Sequence, residues 1–249
     1  MQGGFLASGT LYIDRLTDAG ESTGFIQVDN CTAFEIKEES ELKERTSKMK
    51  ETYGQKLDVV ALKTNSNVKV AFNGVSTDVL AMILLGEAVD HNVGAGTVTD
   101  ESVTAKSGKW ISLAQKNLTD ATVVVTDDPE VTTYVDGTDY SVNYALGLLE
   151  IKSGGGISDG ADLLVDYDHA AISASRISGA TQPIIRAKLA LDGKNIKDGK
   201  GVRVEVDEAV LTPDSPVDFM SSDWVEVSLS GTMKTLTGKT TPYTVTPEK

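Results

Sequence analysis

The stretch Phe34–Lys63, FEIKEESELKERTSKMKETYGQKLDVVALK, decides how this chain is read. In its first ten residues Phe34, Ile36 and Leu42 share one parity, and Glu35, Lys37, Glu39, Glu41 and Lys43 occupy the other. A period of two predicts a strand with one apolar face and one wet, charged face. A helix competes, because Glu41–Arg45 and Glu44–Lys48 are spaced four apart, but the apolar positions do not recur at 3.6 residues. Leu57–Lys63 (LDVVALK) reads as the next strand and Asn67–Phe72 (NVKVAF) as another. The linking segment Glu41–Lys56 is too long for a tight turn. It sets Lys43, Arg45, Lys48, Lys50 and Lys56 against Glu41, Glu44 and Glu51, and is therefore net basic. Charge runs are commonly solvated loops. The sharper expectation is a protruding arm, mobile until it docks on an acidic surface of another copy.

Outward from this stretch the pattern stays β. Ala7–Arg15, Phe25–Val28, Pro183–Leu191, Val202–Val206 and Trp224–Leu229 read as strands, and the tail TPYTVTPEK as extended or frayed. One helix is expected: Ser76-Thr77-Asp78 supplies N-cap chemistry, VLAMILL follows, and Gly86 offers a stop. Apolar residues on every face predict a helix buried on most sides.

His91–Gly96 (HNVGAG) reads as a flexible connection into a different composition. From Thr97 to Ala171 no helix is expected. Short strand candidates (Thr97–Lys106, Lys109–Leu113, Ala121–Thr126, Thr132–Val135, Asp139–Tyr144, Leu148–Lys152 and Asp162–Tyr167) alternate with Asp-Gly and Gly-rich turns. Between Thr119 and Ala170 eleven acids face one base, Lys152. The expected organisation is a discontinuous domain, 1–96 with 172–249, carrying an inserted, acidic, all-β, Ig-like module over 97–171.

The whole chain of 249 residues has a formal charge of −14, which excludes a general nucleic-acid binder. One Cys (Cys31) allows no intrachain disulfide and suits a reducing cytoplasm; two His (His91, His169) leave little for a metal site. The opening MQGGFLASGT lacks a signal-peptide pattern, and the longest apolar run, Val79–Leu85, is too short to span a bilayer. Asp136/Asp139 and Asp159/Asp162 read as turn residues rather than calcium ligands. Ser153–Ser158 (SGGGIS) lacks the GK[ST] of a phosphate loop, and no nucleophile elbow exists. No catalytic, cofactor-binding or metal-ligating residue is nominated, and no enzyme is expected.

In their order, five segments resemble the tail tube (major tail) proteins of long, flexible-tailed bacteriophages. They are the strand-arm-strand above, STDVLAMILLGE, YVDGTDYSVNYALGLLEIKSGGGISDGADLLVDYDH, PIIRAKLALDGKN and VEVDEAVLTPDSPVDFMSSDWVEVSLSG. The resemblance implies a tube domain of two packed β-sheets flanked by one helix. It implies six-fold rings whose inner strands join into one barrel, stacked through a long loop, with genome DNA passing inside and an extra β module outside. The implied ring-stacking arm is Glu44, Arg45, Lys48, Lys50 and Glu51, and the implied lumen-facing residues are Glu35, Lys37, Glu39, Glu41 and Lys43. Implied partners are further copies of the chain and other tail proteins (tape measure, tail terminator, distal tail protein). Double-stranded DNA would pass without specific binding, with no cofactor and no membrane, in a virion protein made in the host cytoplasm. An extracellular Ig-like adhesin or fimbrial subunit is the alternative. A carbohydrate-active enzyme, which would need facing carboxylates in a cleft, is the other rival.

Overall fold

The computed structural model describes residues 7–248. In chain order the elements are β1 (Ala7–Leu16), β2 (Ser22–Val28), β3 (Cys31–Thr46), β4 (Lys56–Phe72), α1 (Thr77–Ile83) and β5 (Glu87–Val93). There follow β6 (Gly96–Thr104), β7 (Trp110–Ser112), β8 (Val124–Asp127), β9 (Tyr140–Asn143), β10 (Leu148–Ile151) and β11 (Asp162–His169). The chain ends with β12 (Ile172–Ser178), β13 (Ile185–Asn195), β14 (Gly201–Pro213), β15 (Val227–Met233) and β16 (Tyr243–Pro247). Strand accounts for 56% and helix for 3%, so the fold is mainly β with one helix.

The chain divides into two compact units, one running through Ala88 and resuming at Ile177, the other Val89–Arg176. The second unit therefore starts eight residues before Thr97 and ends five after Ala171. The expected flexible connection His91–Gly96 is corrected: β5 covers it through Val93 and pairs with β12. Where these strands leave the first unit they run close together. A Cβ on Gly86 would stand 2.4 Å from the Ser178 carbonyl oxygen, so only glycine fits there.

The first unit is one antiparallel sheet of order β2-β1-β13-β14-β15-β4-β3, with β16 also on β14. β14 belongs to two halves. Val202–Val206 pairs with β16, and Ala209–Pro213 pairs with β15. Between them a bulge sets Asp207 and Glu208 opposite Lys188, and such bulges bend strands. Both halves turn apolar faces to one core: Leu11, Ile13, Leu189 and Val206 from one, Val70, Phe72, Leu211 and Leu229 from the other. α1 adds Val79, Met82 and Ile83 to that core; its N-cap Ser76 accepts from the Val79 amide, and Asp78 stands in the first turn. Leu80 and Leu84 are only half-buried, so the helix uses one face rather than most of its circumference.

At the bulge the buried Glu208 carboxylate meets Arg186 Nε at 2.9 Å and Lys234 Nζ at 3.4 Å. Burial pushes its pKa up, but the two cations outweigh burial and hold it below the ordinary glutamate range. The pair's contribution is therefore complete at neutral pH and fades only as pH falls through that lowered value. Arg186→Met leaves the buried carboxylate with the longer, exposed Lys234 contact alone and should cost about 3 kcal/mol in urea unfolding. A loss below about 1 kcal/mol would show that Lys234 alone suffices.

The second unit holds two antiparallel sheets, β7-β10-β9 and β6-β11-β8. Their inward residues, among them Leu149, Ile151, Tyr140, Leu163, Val165 and Tyr167, form a separate core. The expected strand Thr132–Val135 is reduced to an isolated bridge, Thr126–Thr133. Because this unit has its own core, replacing Val89–Arg176 by a short Gly/Ser linker should leave a single cooperative melt and a β-type circular dichroism spectrum. A linker variant recovered only as unfolded chain would show the insert to be required for folding.

Candidate assembly surface

β3 and the turn that joins it to β4 hold all the residues that the sequence nominated for function. The expectation of an unpaired linking segment over Glu41–Lys56 is corrected, because β3 runs on through Thr46 and β4 starts at Lys56. Their ladder continues to Thr46–Lys56, and only residues 47–55 form the turn, closed by Ser47 N–H to Gln55 O and Gly54 N–H to Ser47 O. The arm is a β-ribbon capped by a turn rather than an irregular loop. Glu44 and Arg45 lie in β3, opposite Val59 and Asp58, and Glu44 ion-pairs with Lys56. Lys48, Lys50 and Glu51 lie in the turn, all exposed, and among the described residues Lys48 and Lys50 make no ion pair.

The ribbon is free-standing for a simple topological reason. β15 accompanies β4 only from Phe72 to Asn67, so from Ser66 to Lys56 β4 pairs with β3 alone. Near its base Ser66 Oγ donates to Glu38 at 2.8 Å. Farther out, Leu42, Leu57, Val59, Val60 and Leu62 are exposed. A two-stranded ribbon with apolar side chains in water is marginal alone, which makes it a candidate contact surface. Among the described residues, no strand pairs with the other edge of β3. Such an edge is a template for strand addition.

Glu35, Lys37 and Glu39 share one exposed face and stand opposite Lys69, Asn67 and Asn65. Lys37 pairs with Glu39 at 2.6 Å, which raises the lysine pKa and lowers that of the carboxyl through the hydrogen bond and the charges. The face continues across β15 with Ser230 and Thr232 and ends at Asp214, which binds Lys69 at 2.6 Å. Glu41 and Lys43, the remaining nominated residues, are exposed but separated from this group by a register shift between Ser40 and Leu42. The structure thus assembles three of the five onto one polar wall and sets two at or beyond an irregularity.

Three of the four acids weighed for calcium, Asp136, Asp139 and Asp159, accept from backbone amides, and Asp162 accepts from the Thr104 hydroxyl. Asp139 accepts from the Val135 and Gly156 amides, which lower its pKa, and Asp159 accepts from Ser107. Among the described residues no group of three or more His, Cys, Asp or Glu is placed to hold a metal. Burial pushes the Cys31 thiol up from its ordinary value, with only a weak contact to the Ala33 carbonyl against it. His91 meets Arg176 at 2.8 Å, and His169 is buried at the end of β11. Among the described residues, no helix is long and apolar enough to cross a membrane.

Sequence reasoning missed one surface. The expected strand from Trp224 begins only at Val227, and Trp224, Phe219 and Met220 are 90%, 72% and 92% exposed on the β14–β15 loop. The available signal was SPVDFMSSDW itself, large apolar residues set among turn formers without a period. The tail, expected to be extended or frayed, is extended over Tyr243–Pro247, where it pairs as β16 with β14. No curated protein matches the chain. The model of a family described as "Protein of unknown function UCP028589" matches residues 4–243, nearly the full length, and the chain belongs to that family.

Proposed function

We propose that this chain is a tail tube subunit of a long, flexible-tailed bacteriophage, building stacked hexameric rings through which genome DNA leaves the virion. The observation that carries the reading is the free-standing β3–β4 ribbon, whose sixteen-residue β3 has an outer edge that no strand pairs among the described residues. The open edge of β3 is suited to pair with a strand of the next copy, which would convert an aggregation hazard into a closed ring. The wall of Glu35, Lys37, Glu39, Asn65, Asn67, Ser230 and Thr232 is polar, with its lysines tied to carboxylates, so it offers little grip on phosphate. The remaining partners in this reading are the tape measure, tail terminator and distal tail proteins.

Negative-stain microscopy of concentrated protein tests the proposal: tubes of uniform diameter are expected, and a chain that stays monomeric at all concentrations would overturn it. Hydrogen exchange adds a residue-level check. The β3 amides that point away from β4 should exchange fast in the free chain and slow on assembly. Duplex DNA should show no gel retardation even at low salt, where screening is weakest. Retardation that disappears steeply with added salt would mean that a basic surface dominates the wall.

A further inference from the structure

Two exposed apolar surfaces of opposite charge lie at opposite ends of the same strands. One is the turn between β3 and β4, where Met49 and Tyr53 are 70% and 77% exposed. Across residues 43–56 five bases face two acids. The other is the loop Asp214–Glu226, with Phe219, Met220 and Trp224 in water, four acids and no base. Registers fix the separation. Val227, which ends this loop, pairs with Phe72, the last residue of β4, while the turn adjoins Lys56, the first. Seventeen residues of strand separate the two surfaces, about 55 Å along the chain.

The loop is held rather than loose. Val217 and Val225 pack against the core, Ser228 N–H donates to Ser215 Oγ at 2.8 Å, and Asp218 Oδ1 accepts from Met220 N–H at 2.8 Å. Anchored at both ends, it turns three of its largest side chains outward. An exposed Trp, Phe and Met together form the kind of anchor that interfaces bury.

We infer that the β14–β15 loop of one copy is the receptor for the β3–β4 turn of the next copy along the strand axis. Trp224, Phe219 and Met220 would cover Met49 and Tyr53, while Asp218 and Asp223 face Lys48 and Lys50. Because donor and receptor differ and lie at opposite ends, the contact is heterologous and leaves one of each unsatisfied at every step, which gives open-ended growth. The inference rests on the tube-subunit reading for its polymer and names the partner of the same arm.

Two variants test it. The first carries Phe219→Ser, Met220→Ser and Trp224→Ser; the second carries Lys48→Glu, Met49→Ser and Lys50→Glu. All six positions are exposed, so both variants should melt within about 2 °C of wild type. Each alone should fail to grow. Purified separately and then mixed, they retain one intact loop and one intact turn between them, so the sedimenting mass should double and stop there. With Trp110→Phe, Trp224 becomes the sole tryptophan, and its emission should shift to the blue on assembly of otherwise wild-type chains. A mixture that sediments as its separate components, or a loop variant that grows tubes as wild type does, would overturn the inference and leave the tube reading intact. Wild type that forms no tubes, with a mixture that still doubles, would overturn the tube reading and keep the docking pair.

Discussion

Reversing Arg45, Lys48 and Lys50 to glutamate should stop tube growth while moving the melting temperature of the free chain by about 2 °C at most. The two responses separate because of where the charges lie. Arg45 is exposed on the ribbon, and Lys48 and Lys50 occupy a turn, all well outside the core. One exposed charge contact contributes about 0–1 kcal/mol. In a hexameric ring six copies of each contact would act together, so a change too small for the monomer to register becomes large for the polymer. The ribbon itself should survive the substitution, because Glu44–Lys56 and the ladder hydrogen bonds remain. Sedimentation for assembly and calorimetry for folding give the two readings. Normal growth by the triple variant would remove the arm from the assembly contact.

Much of this arrangement was legible in the sequence, for an identifiable reason. A strand that buries one face must alternate, so Phe34, Ile36 and their charged neighbours announced β3, and the Ser76 cap with its apolar run announced α1. Where no core imposes a period, sequence reading failed. Thr64-Asn65-Ser66 looked like a break between two strands, yet these residues pair with Ser40, Glu39 and Glu38; Thr64 and Asn65 are exposed, so the ladder rather than an apolar face keeps them extended. The same lack of a buried face hid the outer ribbon and left Glu41–Lys56 as an expected linking segment. Aromatics gave the opposite error. Phe72 and Trp224 both adjoin strand-like patterns, but Phe72 is fully buried and Trp224 almost fully exposed, and only the register of β15 on β4 separates them. The nominated wall was half-legible: parity placed Glu35, Lys37 and Glu39 together, but no pattern disclosed the bulge that detaches Lys43.

Met82→Asp should abolish the folded first unit, the largest effect expected of any single substitution described here. Met82 lies on the inward face of α1, almost fully buried, together with Val79 and Ile83 at helical spacing. It belongs to the cluster that unites Phe72, Leu211 and Leu229 with Leu11 and Ile13, so it touches the core that both halves of the sheet share. Removing a buried methionine side chain costs about 2–5 kcal/mol, and a carboxylate left without a partner adds several more even after it neutralises. That sum rivals the whole stability of a typical domain, about 5–15 kcal/mol. Three cations of this unit already have partners: Arg186 and Lys234 serve Glu208 and Arg15 donates to the Gly86 carbonyl at 2.9 Å, while α1 carries no basic residue in its last turn. The expected result is an aggregated chain, or one whose first unit shows no cooperative melt. Met82→Leu keeps volume and polarity and should cost less than about 1.5 kcal/mol. The second unit has its own core, so its melting transition should persist in Met82→Asp, visible by calorimetry as a surviving, smaller peak. Full retention of both transitions in Met82→Asp would mean that α1 can leave the sheet without loss, and that its apolar face contributes nothing to the core.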